Sequence, residues 1–301
     1  MTNSLITLTD LATGSSATIS PVGAGILALE LSGIKVIEQL AKDLPELYAG
    51  VVLAPWSSRI AGGKYSLPDG RNLEVPINEP ERNNALHGLV YNRSFEIKRK
   101  SDQSVELTID IAESAGYPFS LKLALSYELE DGELFVSFAV RNLSNQKAPF
   151  GIAFHPYLST SWAKGPVLLQ SDAKTVLDLD SNLIATGKIP TASSAKDLSV
   201  GKKVLAAGLD DDYTDLYFEK GIATTKLLTE DGSGVVVWQE DIFKHIVVYT
   251  TDSFETDSGP ISAVAIEPST SEVNAFNSKQ DLIWLEPNQT RSGSWGIKLL
   301  K

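Results

Sequence analysis

The chain has 301 residues, with 26 Lys and Arg against 38 Asp and Glu, a net charge of −12; it holds three histidines and no cysteine. The missing cysteines exclude a disulfide framework, a thiolate nucleophile, an Fe–S cluster and any Cys-containing zinc site. The acid excess argues against a nucleic-acid partner, whose phosphates call for a basic face, and fits a soluble protein acting on a neutral small molecule.

The hydrophobic share of 43% is enough for a sizeable core. No run of 18 apolar residues occurs, so no membrane span is expected. Residues 1–6 lack a basic stretch and a long apolar one, so a secretory leader is not expected and the cytoplasm is the expected location.

Along the chain, residues 36–44 form the best amphipathic helical stretch, closed by Pro45. Pro68-Asp69-Gly70 separates Tyr65-Ser66-Leu67 from Leu73-Glu74-Val75 and predicts a hairpin. Val105, Leu107, Ile109 and Ile111 then alternate with polar residues. The same period of two returns in Leu121, Leu123, Leu125, Tyr127 and Leu129, and in Leu134, Val136, Phe138 and Val140. Between the last two runs stands Asp131-Gly132, a pair suited to the positive φ angles of a tight hairpin. The polar residues 191–199 predict a surface loop. Asp231-Gly232-Ser233-Gly234 predicts another hairpin, joining residues 226–228 to 235–238. Strands with turns between them and few helices point to an all-β fold, a large antiparallel sandwich or barrel, rather than βαβ units. No Pro-, Gly- or Ser-rich linker divides it, so a single domain over residues 1–301 is expected.

Chemistry needs polar groups at strand ends, where a β scaffold presents them. His87, before Gly88, and His155, before Pro156, stand at such junctions. His245 follows Lys244, opens an apolar run, is expected to lack polar partners and reads as structural. Glu267 ends the apolar run 262–266 and is followed by Pro268. If partly buried, its carboxyl is pushed toward neutral pH and becomes a better base. Arg59 sits between Trp56 and Gly62, as suits a pocket wall. Asp210, Asp211 and Asp212 form an acidic run without the spacing of a calcium loop.

Taken together, four segments carry a resemblance. Ser58-Arg59-Ile60, Asn84-Ala85-Leu86-His87-Gly88-Leu89, Phe154-His155-Pro156-Tyr157-Leu158 and Ala265-Ile266-Glu267-Pro268 occur in this order. With Leu209-Asp210-Asp211, Val248-Tyr249-Thr250 and Ala275-Phe276-Asn277 they resemble the aldose 1-epimerase (galactose mutarotase) family from about Gly50 to Ile297. His155 sits before Pro156 rather than in the Asn-His-Ser-Tyr-Phe context of many sugar mutarotases, which places the chain near a divergent bacterial branch. The tail reads Pro287-Asn288-Gln289 where the family often has Pro-Gly-Glu.

The resemblance implies a twisted β-sandwich with an open sugar groove, and an isomerase that interconverts the α and β anomers of a free aldose such as glucose or galactose. It assigns Glu267 as general base, His155 as general acid and His87 as a second active-site histidine near the ring oxygen. It puts Arg59 and Asp210 at the sugar, with the run of three aspartates leaving the facing residue open. Asn84, Tyr157 and Trp238 join them as sugar-binding candidates, and Trp56 and Trp162 as possible aromatic floor. No metal or cofactor is implied, no nucleic-acid or membrane partner is expected, and the protein is expected to be a monomer or homodimer. Two other functions fit the same segments. A hexose-6-phosphate 1-epimerase would need extra cations, with Lys64, Arg82 and Arg93 as candidates. A non-catalytic carbohydrate-binding protein would not need an acid–base pair.

Overall fold

The computed structural model describes residues 4–40, 48–192, 194–204 and 208–300. Two large antiparallel sheets dominate. The first has nine strands, ordered Glu96–Lys100, Ser104–Ile111, Leu121–Glu130, Glu133–Asn142, Thr290–Leu300, Gly234–Glu240, Ile222–Leu228, Leu168–Ser171 and Lys202–Lys203. The second has eight. Seven run in the order Ala185–Pro190, Thr175–Leu179, Asp210–Thr214, His245–Thr256, Gly259–Ser269, Ala153–Phe154 and Val52–Leu53, and Tyr157–Ser159 also pairs with Gly259–Ser269. A four-stranded sheet over Ile6–Asp10, Ser15–Ile19, Ile26–Leu31 and Ile34–Ile37 flanks them. Ala275–Ser278 is one short turn of helix. Among the described residues no helix is long and apolar enough to cross a membrane.

The hairpins follow from their turn residues. Glu130 pairs with Glu133 around Asp131 and Gly132, whose φ angles are 52° and 73°. Two positive φ values in a row give the turn whose twist matches that of the flanking strands. Ser66 pairs with Asn72 around Gly70, and Leu228 with Gly234 around Gly232. Residues 191–192 and 194–199 run between strands as a loop, although Thr191 and Leu198 are buried.

The helix expected at 36–44 does not form where the structure describes it. Ile34–Ile37 is a strand on Ile26–Leu31, and residues 41–44 lie outside the described residues. Three β-branched residues in four, beside an open sheet edge, outweigh a weak helical pattern.

The core lies between the two large sheets. Val136, Phe138, Val237, Trp295 and Ile297 from the nine-stranded sheet share one buried cluster with Phe154, Ile246, Val248, Val264 and Ile266 from the eight-stranded sheet. Phe154 packs on Trp295 with ring centroids 5.1 Å apart. Each such side chain contributes roughly 1.5–3 kcal/mol through burial. Because side chains alternate across a strand, placing Ile246, Val248, Val264 and Ile266 inward turns His245, Val247, Tyr249, Ala265 and Glu267 to the other face. That outer face carries the candidate functional groups.

Candidate active site

The register of the eight-stranded sheet sets out the outer face in rows. Glu267 pairs with Val247, and Val247 with Asp212. Ala153 pairs with Ser269, and Tyr157 with Ala265, so the same register carried between them sets His155 opposite Glu267. One row therefore reads His155, Glu267, Val247, Asp212. The next reads Tyr157, Ala265, Tyr249, Asp210. Tyr157 stacks on His155 at 5.1 Å, and the methyl of Ala265 keeps the middle of the row low.

His155 and Glu267 form a buried acid–base pair. Nε2 of His155 lies 3.4 Å from Oε1 of Glu267, and the two residues are 6% and 5% exposed. Burial pushes the Glu267 carboxyl well above the usual carboxylate range. Asp210 and Asp212 push it further, and Arg59 opposes them. Burial moves His155 the other way, down to about 4. Its backbone is pinned on both sides, with Gly50 N donating to His155 O at 2.8 Å and His155 N donating to Val51 O at 3.1 Å.

His87 closes the other side. It follows the strand Asn84–Leu86, which pairs with Arg59–Ala61, and its N–H donates to Ser58 O at 2.8 Å. Its φ is +63°, a left-handed conformation that costs a non-glycine residue of order 1–3 kcal/mol. Gly88, at φ +75°, has to be glycine, since a Cβ there would stand 2.2 Å from Ala54 O. The chain thus accepts strain to aim the His87 ring edge-on at His155, 5.6 Å away between centroids. Burial, then His155 and Arg59, hold His87 well below the usual histidine range, so it stays neutral. Among the described residues, the buried Nδ1 atoms of both histidines have no hydrogen-bond partner.

Arg59 is fixed by Glu79, which no local pattern in the sequence marks. Nε and Nη2 of Arg59 donate to Glu79 at 2.9 and 3.0 Å, Arg82 adds a bond at 3.2 Å, and Asn84 Nδ2 donates at 2.9 Å. Burial raises the Glu79 carboxyl, but these donors and cations outweigh it and hold it below its ordinary value. A lone Glu in Asn78-Glu79-Pro80 gives no signal in sequence. Its value comes from a fold-back in which Glu79 N and Asn84 N each donate to the other residue's carbonyl.

The acidic run resolves by alternation. Asp210 and Asp212 lie on the same face as Glu267, with the strand that carries Val247 between them, while Asp211 points to the opposite side and pairs with Lys196 at 2.5 Å. Burial raises Asp210, Arg59 opposes it and Asp211 adds to the rise. Asp210 thus feels the Arg59 charge.

Other candidates fall elsewhere. Trp238 is on the outer surface of the nine-stranded sheet, against Phe135 and bonded to Glu133, and is not brought to the site. Its neighbours Val237 and Gln239 take the inward positions, so strand alternation turns Trp238 out. Asn84 is 1% exposed and spends its amide on Glu79 and Asn182 O, so it bears on the groove through Glu79 and not by touch. Trp56 packs in the core on Phe276, and Trp162 donates to Ser159 O. The aromatic rings packed around the two histidines are instead Tyr48, 4.5 Å from His87, Tyr91 beside it, and Tyr157 on His155, with Tyr249 against Tyr157. His245, expected to lack polar company, has two carboxylate partners supplied by distant segments, Asp212 and Asp281. Among the described residues no group of three or more His, Cys, Asp or Glu is arranged to hold a metal ion.

The family model described as aldose 1-epimerase matches residues 4–298. An uncharacterised protein of Escherichia coli K12, YihR, is 31% identical over 276 residues, covering 90% of this chain and 85% of its own. Human galactose mutarotase is 30% identical over 159 residues, about half of each chain. Among solved structures, a galactose mutarotase-like protein of Clostridium acetobutylicum superposes with a TM-score of 0.82 at 22% identity, over 96% of this chain and 93% of that one. A galactose 1-epimerase of Lactobacillus acidophilus gives 0.81 at 18% identity, over 98% and 94%. These last two speak for the fold, and the match of the family model along almost the entire length settles the rest: the chain belongs to the aldose 1-epimerase family.

Proposed function

We propose that the protein interconverts the α and β anomers of a free, neutral aldose such as glucose or galactose. The observation that carries the reading is the buried His155–Glu267 pair, with Nε2 and Oε1 3.4 Å apart. An anomeric carbon bears two oxygens, the C1 hydroxyl and the ring oxygen. Opening the ring takes a proton from the first and gives one to the second. Glu267 accepts the hydroxyl proton and His155 donates to the ring oxygen while the C1–O5 bond breaks. The aldehyde turns about C1–C2, and the ring closes on its other face as both protons return.

The proton count closes. The pair holds one proton before ring opening and one after it. Burial drives both groups toward their neutral forms, which favours that singly protonated state across a wide pH range. The arriving sugar hydroxyls and Arg59 solvate the charge-separated form, Glu267 ionised and His155 protonated. Each positioned acid or base contributes on the order of 10²–10⁴-fold. Neutral His87 lies beside His155 as a hydrogen-bonding partner for the ring oxygen, and Asp210 and Arg59 hold the remaining hydroxyls.

A phosphorylated sugar is the less favoured substrate. Arg59 and Arg82, the two cations that act on Asp210, are both engaged by Glu79. A binding-only role gives no reason to bury an acid and a base in contact. The test is NMR saturation transfer between anomers of glucose, galactose and their 6-phosphates, with and without the protein. Faster exchange of a free hexose supports the reading. Acceleration of the phosphates alone would replace it with the phosphate reading, and no acceleration of any of them would overturn it.

A further inference from the structure

Beside the proposed acid–base pair lies a second buried histidine with no part in the steps above. His245 is fully enclosed, and both ring nitrogens meet carboxylates: Nδ1 to Asp212 Oδ1 at 2.8 Å and Nε2 to Asp281 Oδ2 at 3.1 Å. An ionised carboxylate only accepts hydrogen bonds. Two such partners require a hydrogen on each ring nitrogen, so the ring is an imidazolium. Burial works against that charge, and the two aspartates outweigh it, raising His245 to about 9.

The triad is wired to the groove. Asp212 Oδ2 accepts from Val273 N at 3.1 Å. The next residue, Asn274, donates its N–H to Arg59 O at 2.9 Å and accepts from Ala61 N at 3.1 Å through Oδ1. Asp212 also lies two residues from Asp210 on one strand, and in the same row as Glu267. His245 pairs with Ser269, so Glu267 is its diagonal neighbour on the adjacent strand, with a typical spacing of about 7–8 Å.

We propose that the Asp212–His245–Asp281 triad is a positioning device for proton transfer: one imidazolium charge beneath the groove holds Asp212 in place, offsets its charge beside Glu267, and through Val273 and Asn274 ties the Arg59 strand to the Asp210 strand. His245 is on this account a positioning residue. The inference rests on the reading of Glu267 as the proton acceptor.

Among the described residues the charged groups around the ring are few. Asp212 faces it from its own strand and Asp281 from the turn after the short helix. Lys244 precedes it, Lys188 acts on Asp281 from the strand Ala185–Pro190, and Glu272 pairs with Lys188 at 3.7 Å. Glu267 completes the set. Removing the imidazolium takes one positive charge from the strand next to Glu267. For a charge separation of about 10 Å and an effective dielectric near 20, that raises both apparent pKa values of the His155–Glu267 pair by about one pH unit.

Two measurements test this on the full chain. The first is the ring ¹⁵N spectrum of histidine-labelled wild type from pH 5 to 10. With three histidines, His245→Gln identifies the signal. Two protonated ring nitrogens at pH 7, titrating near pH 9 in wild type and lower in Asp281→Asn, support the triad. A neutral His245 at pH 7 overturns it. The second is the pH profile of anomer exchange. His245→Gln should move both limbs to higher pH by about one unit, and Asp281→Asn, which removes a negative charge, should move them slightly down. Limbs that stay in place in both variants overturn the proposal, even if rates fall. Should His245→Gln not fold, Asp281→Asn at its part-exposed site still gives both readouts. If wild type exchanges no anomers, the functional reading fails and the positioning role falls with it, whereas an active enzyme with a neutral His245 sinks the triad alone.

Discussion

The His245 clamp should make folding stability depend on pH in a defined window. In the folded chain His245 is raised from the ordinary 6.5 to about 9. A group whose folded value lies above its unfolded value binds its proton more tightly in the folded state. Its stabilisation is therefore complete below pH 6.5, declines as pH rises, and is lost above about pH 9. The difference of about 2.5 units, at 1.36 kcal/mol each, comes to about 3 kcal/mol. From the other side, the hydrogen bond from His245 holds Asp281 below the usual carboxylate range, so stability also falls in acid as Asp281 protonates. The perturbation is His245→Gln, and the assay is urea unfolding of wild type and variant at half-unit steps from pH 6 to 9.5. The wild-type excess should shrink by about 3 kcal/mol across that span. A wild-type minus variant difference that is flat with pH would refute the buried imidazolium.

Other expectations follow from the site. Glu79→Gln removes the negative charge that holds Arg59 and leaves one acceptor oxygen for three donor residues. It should raise KM about 10- to 100-fold and cost about 2–3 kcal/mol of stability, measured by steady-state polarimetry and urea unfolding. Asp210→Asn should raise KM about 10-fold or more in the same assay, whereas Asp211→Asn, on the opposite side of the strand with Lys196, should leave KM within about twofold. Trp238→Ala, on the far sheet, should leave anomer exchange unchanged. The wild-type rate should be flat through neutral pH. It should fall in acid as His155, at about 4, and its partner both take protons, and fall again in alkali once the raised Glu267 gives up the pair's last one. In ¹⁸O water the anomeric oxygen should be retained during exchange, because the ring C1–O5 bond opens; rapid label uptake would point to loss of the hydroxyl instead.

The parts of the molecule legible in sequence are those set by local chemistry. The alternation of residues 121–140 around Asp131-Gly132 read as a hairpin because one turn type and one period fix both strands. His87, His155 and Glu267 stood out because each sits beside a Gly or Pro at the end of an apolar run. The register brings the last two together, and the left-handed backbone at His87 aims its ring at His155. What sequence could not show is partnership between distant segments. Glu79 holds Arg59 from 20 residues away, and Asp281 reaches His245 from 36. No local pattern marks either acid. By residue type alone Trp238 reads as a sugar-binding candidate, whereas strand parity turns it to the far surface. The expected helix at 36–44 gave way, where described, to a strand because the open edge of Ile26–Leu31 offered a full hydrogen-bonding partner to Ile34–Ile37.

The central claim is that proton transfer through Glu267 and His155 exchanges the anomers. It is tested most directly by saturation-transfer exchange rates of wild type and Glu267→Gln at pH 7, with folding checked by circular dichroism. Gln keeps the shape and removes the base, so the account expects a loss of at least about 100-fold with an unchanged spectrum. A folded Glu267→Gln protein that exchanges anomers at the wild-type rate would contradict it.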